Sequence, residues 1–252
     1  MISQIITNNK TTTDEAENRW LSFGFTLLEK NKKMAAIKAK DSILDAAERL
    51  FAQRGYSGTS MRIIAEEAGV AQALIHYHCK TKEHLYEMII ERRSNMINRI
   101  RRQELKRCFD EAKGGIPTLE DVLQSFVKPA IESGRYSWGR DFSQILAKLA
   151  VSDDDRSRDL VRKYYDPIAR EYIDAFKKVM PDLSDPEIYW GYLMTTSTVV
   201  SSMARTGRIN RLSQGLLDDG DSEQMIVRLI QFAANGLRGL STSFKQGETS
   251  IV

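Results

Sequence analysis

The residues that could do chemistry crowd into one short stretch. Within the twelve residues Ala71–Lys82, His76, Tyr77, His78, Cys79, Lys80 and Lys82 combine ring nitrogens, a phenol, a thiol and two ammonium groups, and His84 follows at once. Two chemistries draw on such a set: metal ligation and contact with a nucleic acid. Metal fits poorly, because His76 and His78 stand two apart on a helix, about 200° around it, and cannot share an ion. His76 and Cys79 do share a face, but two ligands are short of the four a zinc site needs. Hydrogen bonding to phosphate and base edges therefore remains, and no metal or cofactor is expected.

Catalysis finds no comparable set. The chain has no G-x-S-x-G elbow, H-E-x-x-H pair, P-loop or dinucleotide-binding glycine pattern, so no catalytic residue is expected. Cys108 beside Lys106 and Arg107 could have a lowered pKa and sense oxidants, or it could simply pack; packing is favoured.

The elements that must hold these residues read as helices. Glycine (15) and proline (5) are sparse among 252 residues, and no alternating strand pattern is bounded by hairpin dipeptides. The fold class is all-α. Ile43, Ala47, Leu50 and Phe51 form one apolar stripe in a helix that Gly55 ends. Thr59 and Ser60 offer capping hydroxyls to a second helix with Met61, Ile64, Ala65 and Ala68 on one face. Gly69 ends it, and Val70 opens a third short helix to about Cys79. A long helix from Lys82 to about Lys106 follows, with Thr81 as candidate cap. Further helices are expected over 118–133, 139–151, 157–180, 185–206 and 222–239. Three helices in about forty residues, the last two joined at Gly69-Val70, have the spacing of a helix-turn-helix, whose second helix enters a major groove.

Ile43–Val70 followed by Ile75–Leu85 closely resembles the DNA-binding domain of the tetracycline-repressor (TetR) family. The resemblance implies an N-terminal helix-turn-helix on a larger helical domain that binds a small molecule and forms a dimer. It places Thr59 at the capping position of the second helix, near phosphate, and Arg62 where some members contact DNA. Gln72, Ala73, Leu74 and His76 fall at base-facing positions, and Tyr77, His78 and Lys82 at positions that clamp the backbone. Two residues depart from the pattern: Ala71 replaces the usual capping Ser or Thr, and Cys79 replaces an aromatic, which implies looser packing there. Leu160–Pro167, Pro181–Trp190 and Gln231–Arg238 more faintly resemble members whose effectors include fatty acids or acyl compounds.

The resulting division is 1–38 an N-terminal extension, 39–86 the helix-turn-helix domain, 87–240 the helical ligand-binding and dimerisation domain, and 241–252 a tail. Residues 14–30 could form an amphipathic accessory helix bearing Trp20, Phe23 and Phe25; Met34 would equally make an ordinary start. Trp138, Phe142, Tyr165, Tyr172, Trp190 and Met194 are the candidate effector-lining residues. Gly191, Thr195, Ser197 and Ser201 would allow a close two-fold helix interface, or the same packing within one chain.

Composition supports this modestly. The formal charge is +3, yet residues 1–107 hold 19 Lys+Arg against 13 Asp+Glu, a lean toward a polyanion-facing N-terminal part. No run of roughly 18 apolar residues suggests a membrane span, the start MISQIITNNK lacks the features of a secretory signal, and two cysteines suit a reducing cytoplasm. The expected protein is a homodimeric, cytoplasmic, ligand-responsive transcriptional regulator and most simply a repressor, binding double-stranded DNA at a near-palindromic operator and released by a small, largely apolar effector. An architectural DNA-binding protein of the same fold without an effector is the alternative, and a helical enzyme on a borrowed fold the more distant one.

Overall fold

A buried stripe is the reason the first helix forms. In the computed structural model, which describes residues 34–243, α1 spans 34–54 and hides Ile43, Ala46, Ala47, Leu50 and Phe51. The expected helix over 14–30 lies outside the described residues. Gly55 ends α1 at φ 72°, a left-handed conformation that costs glycine nothing. Ser60 caps α2 (Met61–Ala68) by accepting the Ile63 N–H at 3.3 Å. At its other end Gly69 N–H bonds the Glu66 carbonyl and Val70 N–H the Ala65 carbonyl, a paired closure that needs the left-handed glycine.

The third helix, α3, spans Gln72–Cys79 and not from Val70, because Val70 and Ala71 are spent on the turn. Ala71 precedes it with no side-chain cap, as that residue type requires. Thr81 accepts the His84 N–H and starts α4 (Lys82–Glu111), a turn longer than expected. The expected domain boundary at 86/87 therefore falls inside one continuous helix.

Seven helices follow among the described residues: α5 (Leu119–Ser133), α6 (Gly139–Val151), α7 (Asp155–Tyr164), α8 (Asp166–Val179), α9 (Asp185–Met203), α10 (Arg208–Leu212) and α11 (Ser222–Ser243). The helix expected over 157–180 is two helices. Pro167 stands in the first turn of α8 and has no N–H for the preceding turn, so the chain breaks at Tyr165 and restarts. The short α10 carried no sequence signal, having neither a buried face nor a side-chain cap.

α5 is the hub, packed against α4, α8, α9 and α11. Phe126, Tyr172, Phe176, Leu123 and Ile188 fill its surroundings with at most 2% exposure. α9 and α11 cross closely at Gly191, where a Cβ would stand 2.2 Å from Leu237 Cδ2. Among the described residues there is no strand, and no helix is long and apolar enough to cross a membrane.

Candidate nucleic-acid interface

α3 is held from behind. Ile75 and Cys79 are fully buried against the core formed with Ile64, Ala65 and Leu85. Burial raises the Cys79 thiol above its ordinary pKa, so it remains a neutral packing group. The opposite side presents Gln72, Ala73, His76 and Tyr77 to solvent, with Leu74 and His78 half-buried at its edges. Tyr77 is 79% exposed, a large ring with no role in the core.

His76 Nδ1 lies 3.2 Å from the Lys80 carbonyl. A carbonyl only accepts, so Nδ1 carries the proton and Nε2 is left free to face outward. Tyr77 and His78 meet edge to face at 5.1 Å, and His78 Nε2 is buried without a hydrogen-bond partner among the described residues.

Three of the expected contact residues also have partners within the chain. Thr59 does not cap α2; Ser60 does. The Thr59 side chain is 2% exposed and its hydroxyl donates to the Gly55 carbonyl at 2.9 Å, closing the end of α1. Position in the chain suggested either hydroxyl, and the extended backbone at Ser60 decided between them. Arg62 is exposed on α2 and pairs with Glu66 at 2.6 Å. Lys82 Nζ donates to the carbonyls of Tyr56 and Thr59, both at 3.1 Å, and sits 4.2 Å over the Tyr56 ring. Its ammonium thus ties the α1–α2 loop to the start of α4.

Tyr56, which the sequence did not single out, is the centre of that loop. Its ring meets Phe51 and Tyr86 at 5.8 and 5.3 Å, and its hydroxyl donates to Glu83 Oε1 at 2.6 Å. That hydrogen bond pulls the Glu83 carboxyl below its ordinary value, while burial, then Glu83, raise the phenol. These contacts tie the α1–α2 loop to α4 beside α3.

Residues 43–89 match the family described as bacterial regulatory proteins, tetR family, and residues 124–236 match the tetracyclin repressor-like C-terminal domain. The chain belongs to the TetR family. The regulator AcrR of Shigella flexneri is 41% identical over 64 residues, 25% of this chain and 30% of that protein. The negative regulator IcaR of the biofilm operon icaADBC in Staphylococcus aureus (strain Newman) is 34% identical over 71 residues, 28% of this chain and 30% of that protein. Both alignments thus cover less than a third of the relative's length. Among solved structures, the fatty acid degradation regulator FadR from Bacillus halodurans superposes with a TM-score of 0.57 at 14% identity, covering 82% of this chain and 96% of that one. The hemolysin II regulator HlyIIR gives 0.55 at 17%, covering 78% and 97%. At these identities the likeness is one of fold.

Of the six aromatic and Met candidates for an effector site in this TetR-family chain, Trp138 and Phe142 lie 6.4 Å apart, Tyr165 and Tyr172 both act on Arg101, and Trp190 and Met194 share α9. Phe142 and Tyr172 are fully buried core residues. Trp138 stacks on Tyr136 at 5.4 Å beneath the Arg93 guanidinium. Trp190 and Met194 lie exposed on α9. Tyr165 alone points a buried hydroxyl inward without a partner. Two clefts open elsewhere. One of about 460 Å³ lies between α1, α4 and α6 beside Glu48, Arg93 and Trp138. The other, about 360 Å³, lies between α4 and α5 and reaches Cys108 and Ser125. Of the six, Phe142 and Tyr172 are core residues, Trp138 and Tyr165 are half-buried, and Trp190 and Met194 are exposed.

Proposed function

We propose that the chain is a homodimeric, cytoplasmic transcriptional regulator, a repressor whose α3 enters the major groove of a near-palindromic operator and which a small, largely apolar effector releases. The observation that carries this is the division of α3 into a buried side that fixes it and an exposed side, Gln72, Ala73, His76 and Tyr77, that has no structural work. In this reading His76 Nε2 and Gln72 contact base edges, Ala73 and Leu74 contribute apolar contact, and Tyr77, with Arg62 and His78 nearby, meets the phosphates. Thr59 and Lys82 act behind that surface by holding its frame. The similarity to AcrR and IcaR, both helix-turn-helix regulators and the latter a negative one, supports the reading.

The dimer is proposed on α9 and α11. Trp190, Leu193 and Met194 on α9 and Val227 and Phe232 on α11 are large apolar side chains more than half exposed. A second copy covering this paired face would give a two-fold four-helix interface. Its geometry must set the two α3 helices roughly 34–36 Å apart to reach successive major grooves.

The effector-binding part grips the DNA-binding part at three places. Glu48 on α1 pairs with Arg92 and Arg93 on α4; Lys148 on α6 donates to the Ala52 carbonyl at 2.6 Å; Arg156 on α7 covers the Tyr56 ring. An effector that binds one arrangement of α6 and α7 better than another shifts the α3 spacing by that difference in affinity.

The test is selection of binding sites from randomised duplex DNA by the purified chain, followed by titration at several salt concentrations. The expected outcome is an enriched near-palindrome whose affinity falls steeply with salt. Salt-dependent binding without any enriched sequence would favour the architectural reading, and no DNA binding would overturn both.

A further inference from the structure

Arg101 lies at the middle of α4 with 7% of its surface exposed, and among the described residues no carboxylate pairs with it. Its Nε donates to the Phe126 carbonyl at 3.0 Å, its Nη1 reaches Asn98 Oδ1 at 3.5 Å, and its guanidinium carbon lies 4.1 Å from the Phe126 ring centroid. Nη2 has no hydrogen bond among the described residues. A buried guanidinium left unneutralised weakens a fold, and a methionine of similar volume would serve the packing better. Burial pulls the group's pKa down, but an arginine this basic keeps its charge at neutral pH.

The groups around it are donors as well. Tyr172, Tyr192 and Tyr165 are the ionisable side chains that sense Arg101 electrostatically. The Tyr172 hydroxyl lies 3.2 Å from the Arg101 carbonyl, and Tyr192 reaches the same place through Phe126, their rings 6.0 Å apart. The Tyr165 hydroxyl is buried and has no hydrogen-bond partner among the described residues. Asn98, one turn before Arg101, donates to the Tyr164 carbonyl at 2.9 Å and so holds the α7–α8 break beside this cluster. A cation and an unpartnered hydroxyl walled by aromatic rings have no use for a cation or a neutral hydrocarbon. They suit one negative charge on an apolar body.

We propose that Arg101 and Tyr165 receive the carboxylate of an organic acid whose aromatic or aliphatic body lies against Phe126 and Tyr192. Nη2 is the guanidinium nitrogen left to donate to one carboxylate oxygen, the Tyr165 hydroxyl is the second donor, and a single charge matches a single arginine, whereas a phosphate dianion would leave charge uncompensated. A cleft opens between α4 and α5, the two helices that carry Arg101 and Phe126. Its lining includes Ser125, whose hydroxyl lies 3.0 Å from the Tyr172 hydroxyl. The acids along that cleft are already engaged: Glu104 and Glu111 with Arg107, and Asp121 with Thr118. Occupancy at Tyr165 would act at the end of α7, the helix whose other end presents Arg156 to Tyr56. This inference rests on the effector reading above and supplies the effector's chemical class.

The experiment is calorimetric titration of the full chain with benzoate, octanoate and laurate, each beside its primary amide, with DNA binding measured on the same preparation. At least one acid is expected to bind tenfold or more tightly than its amide and to weaken DNA binding. Arg101→Met is expected to lose that binding tenfold or more while it still binds DNA and melts no lower than the parent. Tyr165→Phe, which removes one oxygen that holds no internal bond, is expected to weaken the acid several-fold, and it decides the matter if Arg101→Met does not fold. Equal binding of acid and amide, unchanged binding by Arg101→Met or by Tyr165→Phe, or no binding by any of the three acids to a chain that binds DNA overturns the proposal. A chain that binds no DNA overturns the regulator reading instead.

Discussion

The guanidinium carbon of Arg156 stands 3.5 Å from the centroid of the Tyr56 ring, joining the start of α7 to the loop that frames the helix-turn-helix. The two residues are a hundred positions apart in the chain. The Arg156 Nε has no hydrogen-bond partner among the described residues, so stacking on the ring is its principal engagement there. Partly desolvated contacts of this kind contribute about 1–2 kcal/mol. Arg156→Ala should therefore loosen the Tyr56 loop locally. Amide exchange is expected to speed several-fold over residues 55–60 and to stay unchanged in α9 and α11; a uniform change along the chain would refute the link.

Tyr77 is exposed and packs on nothing but the edge of His78, so Tyr77→Ala should move stability by no more than about 0.5 kcal/mol. Its loss is expected to weaken binding to every DNA sequence alike. His76→Ala, by contrast, should change the ranking of sites, because Nε2 is the free donor or acceptor facing out. Fluorescence anisotropy on the selected site and on point variants of it separates the two. Full DNA affinity in both variants would remove α3 as the reading helix.

Glu48 is 2% exposed at its side chain and takes hydrogen bonds from Arg93 at 2.7–3.0 Å and from Arg92 at 2.9 Å. Glu48→Gln leaves the nearly buried Arg93 facing a neutral amide, with the exposed Asp45 carboxylate, 3.6 Å from Arg93 and 2.7 Å from Arg92, as the remaining counter-ion. Removing one partner of such a buried pair costs about 3 kcal/mol or more, which lowers Tm by roughly 6–12 °C for a chain of this size. Differential scanning calorimetry checks it, and a fall of less than about 2 °C would mean that the α1–α4 link carries little weight.

Trp190 and Phe232 are 58% and 69% exposed on adjacent helices. Exposed singly, such residues need no explanation; on two packed helices they are the apolar side chains on which the proposed dimer rests. The double substitution Trp190→Glu and Phe232→Glu should yield a folded monomer by light scattering, with operator affinity reduced at least tenfold because each half-site then binds alone. A variant that remains dimeric would place the interface elsewhere.

Burial pushes the Tyr86 phenol from 10.0 up to about 12 and raises Tyr165 and Tyr172 further. In each case the fold favours the neutral phenol, so the unfolded chain releases its protons first as pH climbs. The stability these burials confer is fully present below pH 10 and is lost as pH rises through about 12. Tm should hold near neutral pH and fall above pH 10, with tyrosinate absorbance from these residues appearing together with unfolding and not before it.

Much of the fold was legible from local signals. Gly55 and Gly69 end their helices through left-handed backbone, Thr81 caps α4 through its side-chain hydroxyl, and the stripe Ile43–Ala47–Leu50–Phe51 buries itself in α1. The TetR resemblance over 40–90 rested on these same positions. The break at Tyr165 was also written in the chain, as Pro167, but an otherwise continuous helical pattern concealed it.

The roles of individual side chains were not legible, because each depends on groups far away in sequence. Thr59 and Ser60 are neighbours of the same chemistry, and only the closing of α1 buries one and leaves the other to cap. Lys82 carries the charge a phosphate would attract, yet two carbonyls 23 and 26 residues earlier occupy it. Tyr172 and Trp190 are both aromatics at helical spacing, and the packing of α5 sends one to the core and the other to the surface. The sequence by itself determined most of the helical segments, α10 and the break at Tyr165 apart, and marked α3 as the helix proposed to read DNA, since caps, breakers and periodicity act within a few residues. The tertiary structure decided which charges are spent on holding the frame, where Arg101 stands without a counter-ion, and how α7 reaches Tyr56, since burial and pairing are set by residues brought together across tens to a hundred positions.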